Sequence, residues 1–136
     1  MRSLFIILII FSSGPLFSQQ DESLIRKSIY FGGGSYYIDP YQILELRKFM
    51  ESVEDIRNYE VILFSHTDPI GGKEYNEWLS QKRSEAVYNQ LLNMQIPEEL
   101  IKIRDFGRDN PLYTNNSGRG RQMNRRVDVI LWPVVF

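Results

Sequence analysis

Cysteine is absent from the 136-residue chain, and histidine occurs once. The first absence leaves no side chain for a disulfide framework, a thiolate zinc site, a cysteine nucleophile or a lipidated cysteine anchor. A single histidine excludes a multi-histidine metal centre. An excess of either charge is missing too. The 16 Lys and Arg stand against 17 Asp and Glu, which opposes nucleic-acid binding, because that function normally brings a basic surplus. The most apolar stretch, residues 4–11, is far shorter than the roughly 20 residues a membrane-spanning helix needs. Apolar side chains are nevertheless plentiful: 43% of the chain is hydrophobic and 13% aromatic, enough to fill the core of one domain. The usual reagents of enzyme catalysis are scarce while the means to fold are not.

Residues 1–18 have the order of a secretory leader. Arg2 is a basic start, the apolar stretch follows, and Ser12, Ser13, Gly14 and Pro15 break it before the polar Gln19 and Gln20. The expected organisation is a signal peptide over 1–18, a linker over 19–27, a folded domain over 28–132 and a tail over 133–136. The mature chain is then expected to work outside the cytoplasm, with no integral membrane segment. The alternative is an uncleaved leader that serves as a tether.

Residues 28–31 read as a strand, and Gly32-Gly33-Gly34 punctuates the chain after them. Asp39 suits a helix N-cap, Pro40 the first helical position, and Gln42 the partner in a capping box. Ile43, Leu46, Met50 and Val53 recur at helical spacing with Phe49 beside them, so this helix has one apolar face. Val61-Ile62-Leu63-Phe64 reads as a strand central in a sheet or covered on both sides. It stops at Ser65-His66-Thr67-Asp68-Pro69, Gly71-Gly72 turns, and a long helix is expected over 73–94. Pro97-Glu98-Glu99 suits one further turn, Ile101 and Ile103 a third strand, residues 110–124 a long surface loop, and Val127, Val129 and Leu131 a last strand before Pro133. Strands alternating with helices indicate an α/β domain with one sheet and covering helices.

One charge on the long helix is out of place. Leu79, Ala86, Val87, Leu91 and Met94 form an apolar arc, yet Asn76 and Arg83 lie inside it. An Arg there either snorkels to water along its stem or needs a partner, because an uncompensated buried charge costs several kcal/mol, on the order of 3–5. Asp68 is the nearest acid of interest. It follows a buried strand, at the strand end where open α/β sheets hold ligands. Arg83 lies ten helical steps from Lys73, about 15 Å along the axis, so a direct pair with Asp68 requires the helix to run back past the strand end. If the two approach across a gap, the carboxylate suits an ammonium and the guanidinium a carboxylate, which makes a receptor for a zwitterion. The alternative is a structural salt bridge.

With these residues in place, the chain resembles the OmpA-like, peptidoglycan-binding domain family, which includes domains of peptidoglycan-associated lipoproteins and of the flagellar-motor MotB proteins. His66-Thr67-Asp68-Pro69-Ile70-Gly71, Tyr75-Asn76 and Leu79-Ser80-Gln81-Lys82-Arg83 are similar to the family's HTD-x-x-G, YN and LS-x-x-R sequence. Gly107 and Pro111 fit its G…P element, and Gly118-Arg119 with Asn124-Arg125-Arg126-Val127 is similar to its GR…NRRV ending. The likeness runs over about residues 29–131. It implies an α/β (α+β) fold, a β-α-β-α-β-β sandwich whose mixed four-stranded sheet carries helices on one face. It also implies non-catalytic binding of peptidoglycan through the diaminopimelate of the stem peptide, without cofactor or metal. By the same resemblance Asp68 and Arg83 bind the ligand, Asn76 adds a hydrogen bond, Arg125 stands near the ligand, and Thr67 and Leu79 shape the pocket. Peptidoglycan is the implied partner, with other envelope proteins as further candidates and no nucleic acid. Two features depart from the pattern. Ser65 precedes His66 where the family often has Gly, and Gly32-Gly33-Gly34 replaces a more polar loop. The alternative function is an OmpA-like structural or protein-interaction domain that has lost peptidoglycan binding.

His66 and Asp68 stand two apart, but one histidine makes a weak metal or acid–base set, and His66 is expected to fix its loop by hydrogen bonding. Arg119, Arg121, Arg125 and Arg126 form a basic cluster, read as partly structural and partly facing an anionic wall polymer. Phe136 is expected to belong to a packed or frayed tail.

Overall fold

The alternation of apolar residues along the strands sets the architecture. The computed structural model describes residues 25–107 and 113–134; the leader expected at 1–18 and the terminal Phe136 lie outside them. Four strands, β1 (Ile25–Tyr30), β2 (Tyr59–His66), β3 (Ile101–Gly107) and β4 (Arg126–Pro133), form one sheet in the order β1-β4-β2-β3. β4 is antiparallel to both β1 and β2, while β2 and β3 are parallel. Three helices accompany them: α1 (Pro40–Glu51), α2 (Lys73–Asn93) and α3 (Gly118–Asn124). The mixed four-stranded sheet is the one expected, and β2 is central, as its apolar run implied.

Val61 pairs with Leu131 and Leu63 with Val129, so these side chains share a face of the sheet. Ile29 joins them opposite Val127. All six are fully buried, and they pack with Leu46 and Met50 of α1 and Val87 and Leu91 of α2. The helix α2 is the crossover between the parallel β2 and β3, the connection such a pair requires. It ends one residue before Met94. Gln95 takes a left-handed conformation (φ 63°), and the Ile96 and Gln95 amides bond back to the Leu91 and Leu92 carbonyls. That is a Schellman stop with Gln in the place glycine usually fills. The turn expected at Pro97-Glu98-Glu99 is a 3-10 helix over Glu98–Leu100.

Asp39 caps α1, its carboxylate accepting from the Gln42 amide at 3.0 Å. Gln42 does not close a capping box. Its side chain instead clamps the end of β1, accepting from the Tyr30 amide at 2.7 Å and donating to the Tyr30 carbonyl at 2.8 Å. The start of α1 is thereby fixed to β1 on either side of the triglycine loop, which borders the site described below.

Three boundaries differ from the sequence reading. β1 begins at Ile25 rather than Ser28, because Ile25, Arg26 and Lys27 pair with Leu131, Ile130 and Val129; polar side chains at the edge hid this ladder. Pro133, assigned to the tail, belongs to β4 opposite Tyr59. The expected surface loop at 110–124 contains α3. Its glycines suggested a loop, but Ser117 caps the helix by accepting from the Gly120 amide at 3.0 Å. Gly120 is buried where an added Cβ would overlap the Thr114 carbonyl, whereas one at Gly118 would meet only the Arg121 side chain, 3.8 Å away. Gly120→Ala is therefore expected to destabilise the domain by about 1–3 kcal/mol through overpacking, and Gly118→Ala to leave it near wild type, as read by urea unfolding.

Candidate functional site

At the end of β2 the register shifts between Ser65 and His66, and the chain leaves the sheet through Thr67 and Asp68, both buried. Asp68 uses both carboxylate oxygens. Oδ1 accepts from the Ile70 amide at 3.0 Å, which shapes the turn, and Oδ2 accepts from Arg125 Nη1 at 2.9 Å. Gly71 then adopts φ 99°, where a Cβ would lie 2.8 Å from the Tyr75 ring. This close left-handed turn feeds α2, whose first residues follow Gly72.

α2 carries Asn76, Leu79 and Arg83 along one buried face. Arg83 is fully buried and does not snorkel. Its Nε donates to the Ser35 carbonyl at 2.8 Å and its Nη2 to the Gly32 carbonyl at 3.0 Å, with the guanidinium 5.2 Å from the Phe31 ring centroid. Nη1 has no hydrogen-bond partner among the described residues. Burial, and after it the neighbouring Arg125 guanidinium, hold the Arg83 pKa down to about 10 against the opposing pull of Asp68 and Tyr75. Arg83 is still a cation at neutral pH. Arg125 is tied down as well: its Nε donates to the Phe31 carbonyl at 3.1 Å, and its own carbonyl accepts from the Phe31 amide.

Asp68, Arg83, Asn76, Arg125, Thr67 and Leu79 line one cavity of about 200 Å³. Sequence reasoning on the residues alone left open whether Asp68 and Arg83 approach each other. The ion pair of Asp68 is made with Arg125, while Arg83 engages the Gly32 and Ser35 carbonyls at either end of the triglycine loop and keeps one donor spare. The Asn76 amide reaches the Gly71 carbonyl only at 3.5 Å, and Thr67 Oγ1 has no partner among the described residues. Gly33, Gly34, Ile70, Gly71 and Tyr75 complete the lining. Of these, Tyr75 was signalled by its place beside Asn76 without being singled out as a pocket wall, and Gly33 and Gly34 by their run of three, whose backbone is open to a ligand.

His66 faces elsewhere. Its Nε2 lies 3.5 Å from Asp128 Oδ2, and Asp128 also accepts from Ser28 Oγ at 2.6 Å and Arg126 Nε at 3.1 Å. His66 thus helps fix the end of β2 to β4. The basic cluster divides: Arg126 is buried against Asp128 and the Tyr113 ring, Arg125 lines the cavity, Arg121 donates to the Asn115 carbonyl, and Arg119 is exposed. Among the described residues no group of three or more His, Asp or Glu gathers as a metal site, and no helix is long and apolar enough to cross a membrane.

Residues 30–125 match the OmpA family. The chain belongs to that family. This OmpA-family domain is 30% identical over 107 residues to the outer-membrane lipoprotein YfiB of Pseudomonas aeruginosa, covering 79% of this chain and 64% of the relative. It is 32% identical over 74 residues to the probable lipoprotein YiaD of Escherichia coli, covering 54% of this chain and 34% of the relative. The domain therefore spans between about a third and two thirds of these relatives. Among solved structures it is similar to the peptidoglycan-associated lipoprotein of Burkholderia pseudomallei, with a TM-score of 0.72 at 25% identity over 77% of this chain and 89% of that one. The cell wall anchor of the T6SS from Pseudomonas aeruginosa shares the fold, with a TM-score of 0.65 at 22% identity over 82% of this chain and 83% of that one. YiaD and YfiB are lipoproteins by name, and YfiB is named for the outer membrane.

Proposed function

We propose that the domain binds peptidoglycan without covalent chemistry, taking the diaminopimelate of the stem peptide into the cavity between Asp68 and Arg83. The observation that carries this reading is the spare Nη1 donor of the buried Arg83 beside a buried carboxylate in one small cavity. A buried donor without a partner costs about 1–3 kcal/mol, and a ligand carboxylate would satisfy it with a charge-assisted bond. The free end of diaminopimelate supplies that carboxylate together with an ammonium for Asp68. Two guanidiniums and one carboxylate line the cavity, so a ligand that brings a carboxylate is better matched than one that brings only an amine. Asn76 and Thr67 offer further polar groups, and Leu79 an apolar wall for the methylene chain. The names of the peptidoglycan-associated lipoprotein and of the cell wall anchor agree with this reading. With residues 1–18 as an export leader, the domain would hold the wall from the periplasm.

The test is co-sedimentation with insoluble peptidoglycan. Wild-type protein is expected to pellet with diaminopimelate-type wall, and Asp68→Ala to stay in the supernatant with its circular dichroism unchanged. Lysine-type wall, whose side chain ends in an ammonium alone, should retain at least about tenfold less protein. Wild-type protein left in the supernatant with both walls would favour the structural or protein-interaction reading.

A further inference from the structure

A second cavity adjoins the first. It is a more open cleft of about 610 Å³ between the segment after the triglycine loop, the start of α1 and the middle of α2, and Gly34 lines both. No charged side chain stands on its walls; Ser35, Tyr36, Tyr37, Asn89 and Gln90 supply the polar groups. Three aromatic rings bridge the two cavities. Tyr75 lines the first, and its ring lies 5.9 Å from that of Trp78, tilted by 30°. Trp78 meets Tyr36, a wall of the cleft, edge-on at 6.0 Å and 89°. The rings hold one another in place, yet each is 45–47% exposed. Ordered aromatic rings left open to water mark a binding surface more often than a packing accident.

We infer that this aromatic bridge and the uncharged cleft are a glycan subsite, which stacks and hydrogen-bonds the amino sugar bearing the stem peptide held by Asp68 and Arg83. A pyranose ring presents a face of C–H groups that stacks on an aromatic ring, and a rim of hydroxyl and N-acetyl groups that suits amide and phenol partners. In the wall polymer the sugar's carboxyl group is consumed in its bond to the peptide, so the ligand is neutral, as the cleft walls are.

This inference rests on the peptide reading of the first cavity, so the test separates the two. Calorimetry on the full chain compares the tripeptide L-Ala–γ-D-Glu–diaminopimelate with the same tripeptide carried on its N-acetylglucosamine–N-acetylmuramic acid disaccharide. The indole N–H signal of Trp78 is followed by NMR, with Trp132, at the far end of β4, as internal reference. The disaccharide form is expected to bind about tenfold tighter, the increment of one good aromatic contact, and to shift Trp78 but not Trp132. Trp78→Ala and Tyr36→Ala should erase that gain and leave tripeptide affinity unchanged, while Trp78→Phe keeps most of it. Equal affinity for the two ligands in the wild type overturns the glycan subsite and leaves the peptide reading standing. If neither ligand binds, an N-acetylglucosamine tetramer decides: a Trp78 shift supports the subsite and removes only the peptide reading, and no shift overturns both.

Discussion

Replacing Arg83 by methionine is expected to weaken binding to diaminopimelate-type peptidoglycan by about a hundredfold or more while leaving the domain folded. Methionine keeps an unbranched apolar stem in the buried space, while the contact of the guanidinium with the Phe31 ring is lost. It removes the spare Nη1 donor and the cation, which in the proposed complex together make a charge-assisted bond to the ligand carboxylate. A buried bond of that kind is worth about 1.5–3 kcal/mol, and leaving the ligand carboxylate desolvated and unpaired adds to the loss. Stability moves less and in a mixed way. The Gly32 and Ser35 carbonyls lose their donors, a cost of about 1–3 kcal/mol, but the protein no longer buries a guanidinium, and that relief offsets part of it. The expected picture is a moderately lowered melting midpoint, unchanged far-ultraviolet circular dichroism at 25 °C and no pelleting with the wall. Arg83→Lys should recover the charge but not the geometry, since one ammonium cannot bridge two carbonyls and still reach a ligand; its binding should fall between wild type and Arg83→Met. Pelleting of Arg83→Met at the wild-type level would rule out the proposed site.

The anomaly that led to Arg83 was legible because a helix has a fixed period. Once residues 73–94 read as helical, Asn76 and Arg83 had to fall among the apolar residues, and both are buried. Asp68 was legible for a similar local reason, since an apolar run that stops abruptly marks a strand end. The pairing of Asp68 with Arg125 was not legible. The two are 57 residues apart, and they meet only because β4 inserts between β1 and β2. A sheet order in which the last strand is internal leaves no trace in local periodicity, and Arg125 entered through the resemblance to a family. The helix α3 was hidden by its own packing, because Gly120 serves a close backbone approach while reading as a breaker. The aromatic bridge escaped for a different reason. Tyr36 lies in an irregular segment, and Trp78 sits on the half-exposed flank of α2, where no rule of burial singles out a residue.

Arg125 and Arg126 are neighbours in sequence with different partners, and the second carries the larger structural burden. Arg126→Ala is expected to destabilise the domain by about 3–5 kcal/mol, because it leaves Asp128, only 4% exposed, as a buried charge without its main counter-ion. In the wild type, burial pushes the Asp128 carboxyl up, but hydrogen bonds from His66 and Ser28 and the Arg126 guanidinium outweigh it and hold the pKa below the ordinary carboxylate value of 3.8. A carboxyl whose folded pKa is depressed contributes stability that is fully present above its unfolded pKa and is lost as pH falls through the folded one. Wild-type stability should therefore hold down to about pH 4 as far as Asp128 is concerned and decline below it, and Asp128→Asn should flatten that decline. Without Arg126 the burial effect gains weight, so the acid transition of Arg126→Ala should move to higher pH. Urea unfolding from pH 2 to 7 measures each of these shifts, and an unshifted acid limb in Arg126→Ala would contradict the assignment. Binding gives a second reading of the same variant. The cluster of Asp128, Arg126 and His66 does not line the cavity, so the fraction of Arg126→Ala that stays folded should bind peptidoglycan with wild-type affinity, and its loss of function on warming should track unfolding alone.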